Sequence, residues 1–167
     1  MLKRFPKNII LFLALASSLL LSSTLHARDL SNRLGIGYIN NLGFSLPSIA
    51  TTYYPNADIG VTGAIGVDTE EFNSKFGAQA GVRKIIFKED NMNFFMGSTL
   101  ALISQEVSGT AHSGFEINGH IGGEFFLPHL DSLSFTFTTG IGVTSLSKVR
   151  FRTLAESPLT AGMMFYF

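Results

Sequence analysis

Apolar residues alternate with small or polar residues at period two along most of this chain, which constrains its fold more than any other feature. At the C-terminus, Leu159, Ala161, Met163, Phe165 and Phe167 share one parity and a mixed set of residues shares the other. Such alternation places the two sets on opposite faces of a β-strand. Termini of soluble proteins usually fray into water, so an apolar strand at the very end is unusual. We therefore expect this strand to present its apolar face to lipid, with the terminal aromatic residue at the membrane interface.

The same alternation recurs in eight runs, which predict eight β-strands. The runs span residues 33–39, 44–54, 59–67, 76–87, 92–103, 115–127, 133–143 and 159–167. Tight polar turns are expected at 55–58, 88–91 and 128–132, and longer loops at 40–43, 68–75, 105–114 and 144–158. Short and long connections that alternate in this way are typical of an up-and-down barrel in an outer membrane. The sequence therefore predicts an all-β fold, an eight-stranded antiparallel up-and-down transmembrane β-barrel.

The composition of the two faces indicates which one points outward. One face carries Leu, Ile, Val, Phe and Met, whereas the other is mostly Gly, Ser and Thr with few charges. A soluble barrel would direct the apolar face inward and cover its outer face with charged residues. Small residues suit instead the narrow interior of an eight-stranded barrel. The lipid-facing barrel is thus favoured, and a soluble lipocalin-like barrel is the alternative.

The N-terminus has the organisation of a secretory signal peptide. Lys3, Arg4 and Lys7 form a basic region, residues 9–21 are apolar, and Ala27 offers a small residue for cleavage. The apolar stretch is shorter than the about 20 residues of a membrane-spanning helix, so an uncleaved anchor is the less favoured alternative. We expect a signal peptide at 1–27 and a single barrel domain at 28–167, exported to the outer membrane of a Gram-negative-type envelope.

Charge and cysteine content narrow the possible functions further. Without residues 1–27 the chain keeps nine Lys and Arg against twelve Asp and Glu, a net charge of −3, which argues against binding to nucleic acid. The chain has no cysteine, so it forms no disulfide and no thiolate metal site. Neither a cofactor nor a bound metal is expected. We expect a monomer, because short loops leave little surface for a large specific interface.

The leader, the eight alternating strands and the ending Thr160-x-Gly162-x-x-Phe165-x-Phe167 resemble small outer-membrane β-barrel proteins, including the OmpA transmembrane domain and OmpX. In that class the C-terminal strand is read by the barrel assembly machinery. The resemblance implies that Gly162, Phe165 and Phe167 form this assembly signal here, and that the chain contacts outer-membrane lipids and lipopolysaccharide. It covers essentially the whole chain after the leader, so no added periplasmic domain is expected.

Polar residues with luminal parity predict an internal ion-pair network. Glu116, His120 and Glu124 share that parity in one run, Arg83 shares it in another, and Arg33 enters near the same end. Charges enclosed in a barrel must be paired or solvated. The network is expected to plug the lumen, and the alternative is a gate or proton-sensitive pore with His120 as its switch.

Two further sets of polar residues are candidate sites. His112, Ser113 and Glu116 are the nearest candidates for a lipid-hydrolysing set, but adjacent side chains of an extended segment diverge, so no enzymatic activity is expected. Basic residues alternate with apolar ones just beyond run 133–143 and are expected to contact lipopolysaccharide phosphates, or else to lie in an ordinary solvated loop: Lys148, Arg150 and Arg152.

The parity of Lys84 directs its side chain toward lipid, where it is expected to reach the headgroups, unless a local bulge turns it away. For the chain as a whole, the sequence predicts a structural or surface-interaction role in the envelope. A narrow pore for ions or small solutes is the alternative, and a lipid-modifying enzyme is a more distant one.

Overall fold

A computed structural model describes residues 29–167, which form a closed antiparallel β-barrel of eight strands. The elements are β1 (Leu34–Leu42), β2 (Leu46–Tyr53), β3 (Ile59–Asp68), β4 (Lys75–Glu89), β5 (Met92–Val107), β6 (Thr110–Leu127), β7 (Leu130–Ser145), β8 (Val149–Thr153) and β9 (Thr160–Tyr166). Consecutive strands pair up to β7, and β1 pairs with β9 to close the barrel. The predicted up-and-down fold is therefore confirmed. The predicted signal peptide at 1–27 lies outside the described residues.

The eighth strand of the barrel is interrupted. β9 pairs with β7 from Leu133 to Thr138, and β8 pairs with the same strand from Ile141 to Ser145. A short 3₁₀ turn, Leu154–Glu156, separates the two halves. The expected loop at 144–158 is therefore wrong, because it contains half of a barrel strand.

Two other expected loops are also replaced by paired backbone. β5 and β6 continue beyond their apolar runs and meet in a two-residue turn at Ser108 and Gly109, both with positive φ, as a tight hairpin favours. β1 extends to Leu42 before a 3₁₀ turn, Gly43–Ser45. Backbone pairing does not require apolar side chains, so the strands continue where the sequence alternation stops. The loop at 68–75 and the turns at 55–58, 88–91 and 128–132 are close to their predicted places.

The wall of the barrel is apolar outside and polar inside. Large apolar side chains of the outward parity are exposed, as for Ile49 (75%), Leu102 (64%) and Ile65 (58%). Side chains of the inward parity are buried, and Glu116 and Glu124 among them have no exposed surface. This polarity is the reverse of that of a soluble barrel, whose apolar face is its interior. No helix in the described part of the chain has the length and apolar character needed to cross a membrane.

Two clusters of buried apolar side chains lie inside the barrel, one toward each end. At the end where β1 begins and Phe167 lies, here called the terminal end, a cluster of fully buried side chains includes Leu30, Tyr54, Phe126 and Tyr166. At the opposite or distal end, Leu42, Leu46, Ala101 and Ile103 form a second buried cluster. Leu154 of the 3₁₀ turn is also buried. The buried charges of Arg83 and Glu124 contact Tyr54 and Tyr166 of the first cluster.

Candidate functional site in the lumen

Arg83 of β4 and Glu124 of β6 form a buried ion pair near the terminal end. Their closest nitrogen and oxygen atoms are 2.9 Å apart, and the two side chains are 6% and 0% exposed. Both residues have the inward parity of their strands, which brings them into the lumen. A buried charge is tolerated only with a partner and further hydrogen bonds.

The Arg83–Glu124 pair is enclosed by hydroxyl groups and aromatic rings. Tyr166 and Ser134 each donate to Glu124 at 2.7 Å, and Tyr54 donates to it at 3.3 Å. Arg83 also donates to the Tyr166 hydroxyl at 2.8 Å. Its guanidinium lies 5.0 Å from the ring centre of Tyr54 and 4.8 Å from that of Phe95. These contacts compensate for the lost hydration of both charges, and we call the set the terminal layer.

A second ion pair, between Glu116 of β6 and Arg152 of β8, lies toward the distal end. Glu116 also accepts hydrogen bonds from Asn118 at 2.7 Å and Thr144 at 3.0 Å. Arg152 binds Glu156 of the 3₁₀ turn at 2.7 Å, which fixes this turn to the lumen. We call this set the distal layer.

A small cavity of about 40 Å³ lies in the lumen beside the terminal layer, with Arg83 and Phe95 in its lining. Gln79, His120 and Thr136 line it, and the Gln79 Oε1, His120 Nδ1 and Thr136 Oγ1 atoms have no hydrogen-bond partner among the described residues. A cavity of this size can hold water, which would satisfy these polar atoms.

The predicted luminal network is brought together only in part. Arg83 and Glu124 pair, and His120 lies beside them with its ring edge-on to Phe95 at 6.1 Å. The expectation for Arg33 is wrong: its guanidinium lies at the rim and donates to the backbone oxygens of Asp131 and Tyr166 at 3.3 and 3.4 Å.

Glu116 does not join the Arg83–Glu124 network either. It lies in the lumen as its parity predicts, but it pairs with Arg152 in a separate layer. The sequence interpretation missed this layer because it assigned Arg152 to the outside.

The expected lipopolysaccharide contact of Arg152 is wrong, because its side chain is only 7% exposed and is bound to Glu116. Lys148 and Arg150 do remain exposed on the hairpin that joins β7 and β8. The structure thus divides the predicted basic patch into two surface cations and one luminal cation.

The three residues considered for lipid hydrolysis are not assembled into one set. The His112 Nδ1 atom lies 3.3 Å from the Ser147 hydroxyl, whereas the Ser113 hydroxyl lies 3.0 Å from that of Ser104. Glu116 is engaged inside the lumen. In the described part of the chain, no group of His, Asp or Glu side chains is arranged to hold a metal ion.

The residues of the proposed assembly signal lie on the strand that closes the barrel. Gly162 pairs with Ile39 and Phe165 with Ile36 across the β1–β9 seam. The side chains of Phe165 and Phe167 are exposed on the outer wall. Their role in assembly stays a prediction from the resemblance.

Comparisons of this chain with protein-family models, curated proteins and solved structures found no match. The fold and the lumen themselves define the class of protein. It is a closed eight-stranded antiparallel barrel with an apolar exterior and a polar interior filled by side chains.

Proposed function

We propose that this protein is an integral outer-membrane β-barrel with a plugged lumen, and that its role in the envelope is structural or depends on its surface hairpins. The observation that carries the proposal is the polarity of the wall. Ile, Leu, Val, Phe and Met cover the outside of the closed barrel, and ion pairs fill the inside. Water would be a poor solvent for such an exterior, whereas lipid suits it.

The resemblance to the OmpA transmembrane domain and OmpX supports the same proposal. It rests on the leader-like N-terminus, the strand pattern and the C-terminal aromatic ending. By this proposal the terminal end faces the periplasm, as do the tight turns that follow β2, β4 and β6. The distal hairpins then face the cell exterior, where Lys148 and Arg150 are placed to meet lipopolysaccharide phosphates.

We propose a role without catalysis, and we favour it over transport. The filled lumen favours a plug over a pore, because both apolar clusters and both ion-pair layers occupy its cross-section. Comparison of lipid A by mass spectrometry from cells with and without the protein tests the enzymatic alternative. An altered acyl pattern would contradict the proposed role.

The mobility of the membrane-extracted protein in SDS gels, with and without boiling, tests the membrane proposal. A barrel closed by a continuous strand ladder is expected to resist cold SDS and to run as a compact band that shifts on boiling. The protein should also remain in the outer-membrane fraction after washing with alkaline carbonate. Recovery in the soluble periplasmic fraction, without a shift, would contradict the proposal and favour a soluble barrel.

A further inference from the structure

One region of the outer wall combines a groove with a cation. Val82, Ser98, Gly119 and Ile141 follow one another across four neighbouring strands, β4 to β7. The two small residues in the middle form the floor of a groove of about 660 Å³. Its volume is within the about 300–1,000 Å³ typical of small-molecule sites. A Cβ atom added at Gly119 would meet no other atom within 4 Å, so the floor is open to the outside.

Lys84 lines the end of this groove nearest the terminal end of the barrel. It pairs with Ile59, the first residue of β3, so it lies just inside the turn that precedes that strand. The structure gives Lys84 no ion-pair partner among the described residues, whereas the neighbouring Lys88 binds Asp58 at 2.9 Å. Lys84 is thus an unpaired cation on an apolar wall, close enough to the rim to reach headgroup depth.

The order of chemical groups along the groove matches that of a phospholipid. The cation of Lys84 comes first from the rim, beside Met96 in the next strand. The Ser98 hydroxyl is two residues further in along β5, and the apolar floor lies next to it at Gly119. A glycerophospholipid presents its phosphate nearest the membrane surface and its ester carbonyls further in, so the cation and the hydroxyl follow this order, with an apolar surface beside them for an acyl chain.

We propose that this groove binds one glycerophospholipid of the leaflet at the terminal end. Lys84 contacts its phosphate, Ser98 donates to an ester carbonyl, and an acyl chain lies over Gly119 between Val82 and Ile141. The site rests on the proposed function, since it requires the barrel to be embedded in lipid. By that function, the leaflet is the periplasmic one.

A second groove on the same wall supplies the contrast. It is larger, about 1030 Å³, and has small residues such as Gly63 and Ala80 on its floor, but no charged side chain lines it. Lipid chains can fill it, yet nothing there recognises a headgroup. Specific retention is therefore expected at the Lys84 groove and not at this one.

Native mass spectrometry of the full-length mature protein tests the site after reconstitution into vesicles of phosphatidylethanolamine and phosphatidylglycerol. The wild type is expected to retain one phospholipid per barrel after detergent release. Gly119→Leu adds bulk to the groove at a position where a Cβ atom meets no other atom within 4 Å, and Lys84→Gln removes the cation. Each is expected to lower the lipid-bound fraction by about tenfold. Lys84→Gln loses one charge-assisted contact with the phosphate, and Gly119→Leu loses the space for the acyl chain. Lys84→Arg should restore retention.

Matched controls separate this site from general lipid contact. Gly63→Leu fills the uncharged groove, where the new Cβ would make only ordinary contacts with Thr51 and Gln79, and it should leave retention unchanged. Lys148→Gln removes a distal surface cation and should also have no effect. Equal loss of lipid in Gly63→Leu and Gly119→Leu would overturn the proposal.

The test also distinguishes failure of the site from failure of the proposed function. A wild type that shifts on boiling but retains no phospholipid, or retains only lipopolysaccharide, would overturn the site and leave the outer-membrane proposal standing. A wild type that does not insert into the vesicles would overturn both.

Discussion

Arg152 and Glu116 are ion-paired inside the lumen, although Arg152 is only two residues from the exposed Arg150 on the same strand. Glu116 has no exposed surface, so removal of its partner leaves an uncompensated buried charge. We expect Arg152→Ala to lower the free energy of unfolding by about 3–5 kcal/mol. Urea titration in lipid vesicles, read by the cold-SDS mobility shift, measures this.

Arg150→Ala is the matched control, because it removes the same side chain from the same strand. Arg150 is 69% exposed, and its carboxylate partner Glu156 lies at the edge of ion-pair range, 3.9 Å away. Its loss should change the unfolding free energy by no more than about 0.5 kcal/mol. Equal effects of the two substitutions would contradict the luminal placement of Arg152.

The contrast between these two arginines shows where sequence interpretation fails. Parity along a strand is a local rule, and it correctly places Glu116, His120 and Glu124 in the lumen. The rule applies only where a strand is recognised, and residues 144–158 were expected to form a loop. Arg152 instead lies in β8 opposite Gly142 of β7, so it has the inward parity and meets Glu116 of β6 in the lumen.

The Tyr166 hydroxyl connects the two charges of the terminal layer. It donates to Glu124 at 2.7 Å and accepts from Arg83 at 2.8 Å, whereas Tyr54 makes one longer bond, 3.3 Å, to Glu124. We expect Tyr166→Phe to cost about 1.5–3 kcal/mol of unfolding free energy and Tyr54→Phe about 1 kcal/mol or less. The same urea titration compares them.

A double-mutant cycle between Tyr166→Phe and Arg83→Ala tests whether these groups act as one network. Their coupling free energy should be about 0.5–3 kcal/mol, because the two residues are in contact. Additive effects would mean that the hydroxyl is satisfied independently of Arg83. If Arg83→Ala left both stability and conductance untouched, the network itself would be refuted.

The predictions of long loops at 105–114 and 144–158 were wrong for a common physical reason. Residues 105–114 lack the apolar alternation that marks a lipid-facing segment, and in 144–158 it is limited to Val149 and Phe151, so the recognised runs end before the strands do. Strand pairing nevertheless continues beyond the recognised runs, with Gln105 opposite His112 and Ser145 opposite Val149. Sequence alternation therefore located the wall of the barrel but underestimated how far its distal hairpins extend.

Planar-bilayer recording tests whether the lumen conducts. The wild type should show no steady unitary current, because two apolar clusters and two ion-pair layers fill its cross-section. The double variant Arg83→Ala and Glu124→Ala should also stay closed, since the distal layer and the clusters remain. Boiled and unboiled samples show whether each variant has folded.

Two outcomes of the bilayer recording would contradict a plugged lumen. A steady current through the wild type would favour the narrow pore. A current through the double variant but not through the wild type would mean that the terminal layer alone blocks ions. The gate beside His120 requires that result.

The seam between β1 and β9 leaves no room for a side chain at Gly37. A Cβ atom there would lie 2.8 Å from both the Met163 carbonyl carbon and the Met164 Cα atom, which are backbone atoms and cannot move aside without breaking the pairing. We expect Gly37→Ala to cost about 1–3 kcal/mol of unfolding free energy and to weaken resistance to cold SDS.

Gly63→Ala is the control for this prediction, since it adds the same methyl group to an outward position of β3. Its Cβ would lie 3.6 Å from the nearest Thr51 atom, an ordinary contact, so the change should be neutral or stabilise by up to about 1 kcal/mol through reduced freedom of the unfolded chain. The difference between the two variants reports on barrel closure alone, because both replace a strand glycine by alanine. If Gly37→Ala resisted cold SDS as well as Gly63→Ala does, the close approach of β1 and β9 would have to be wrong.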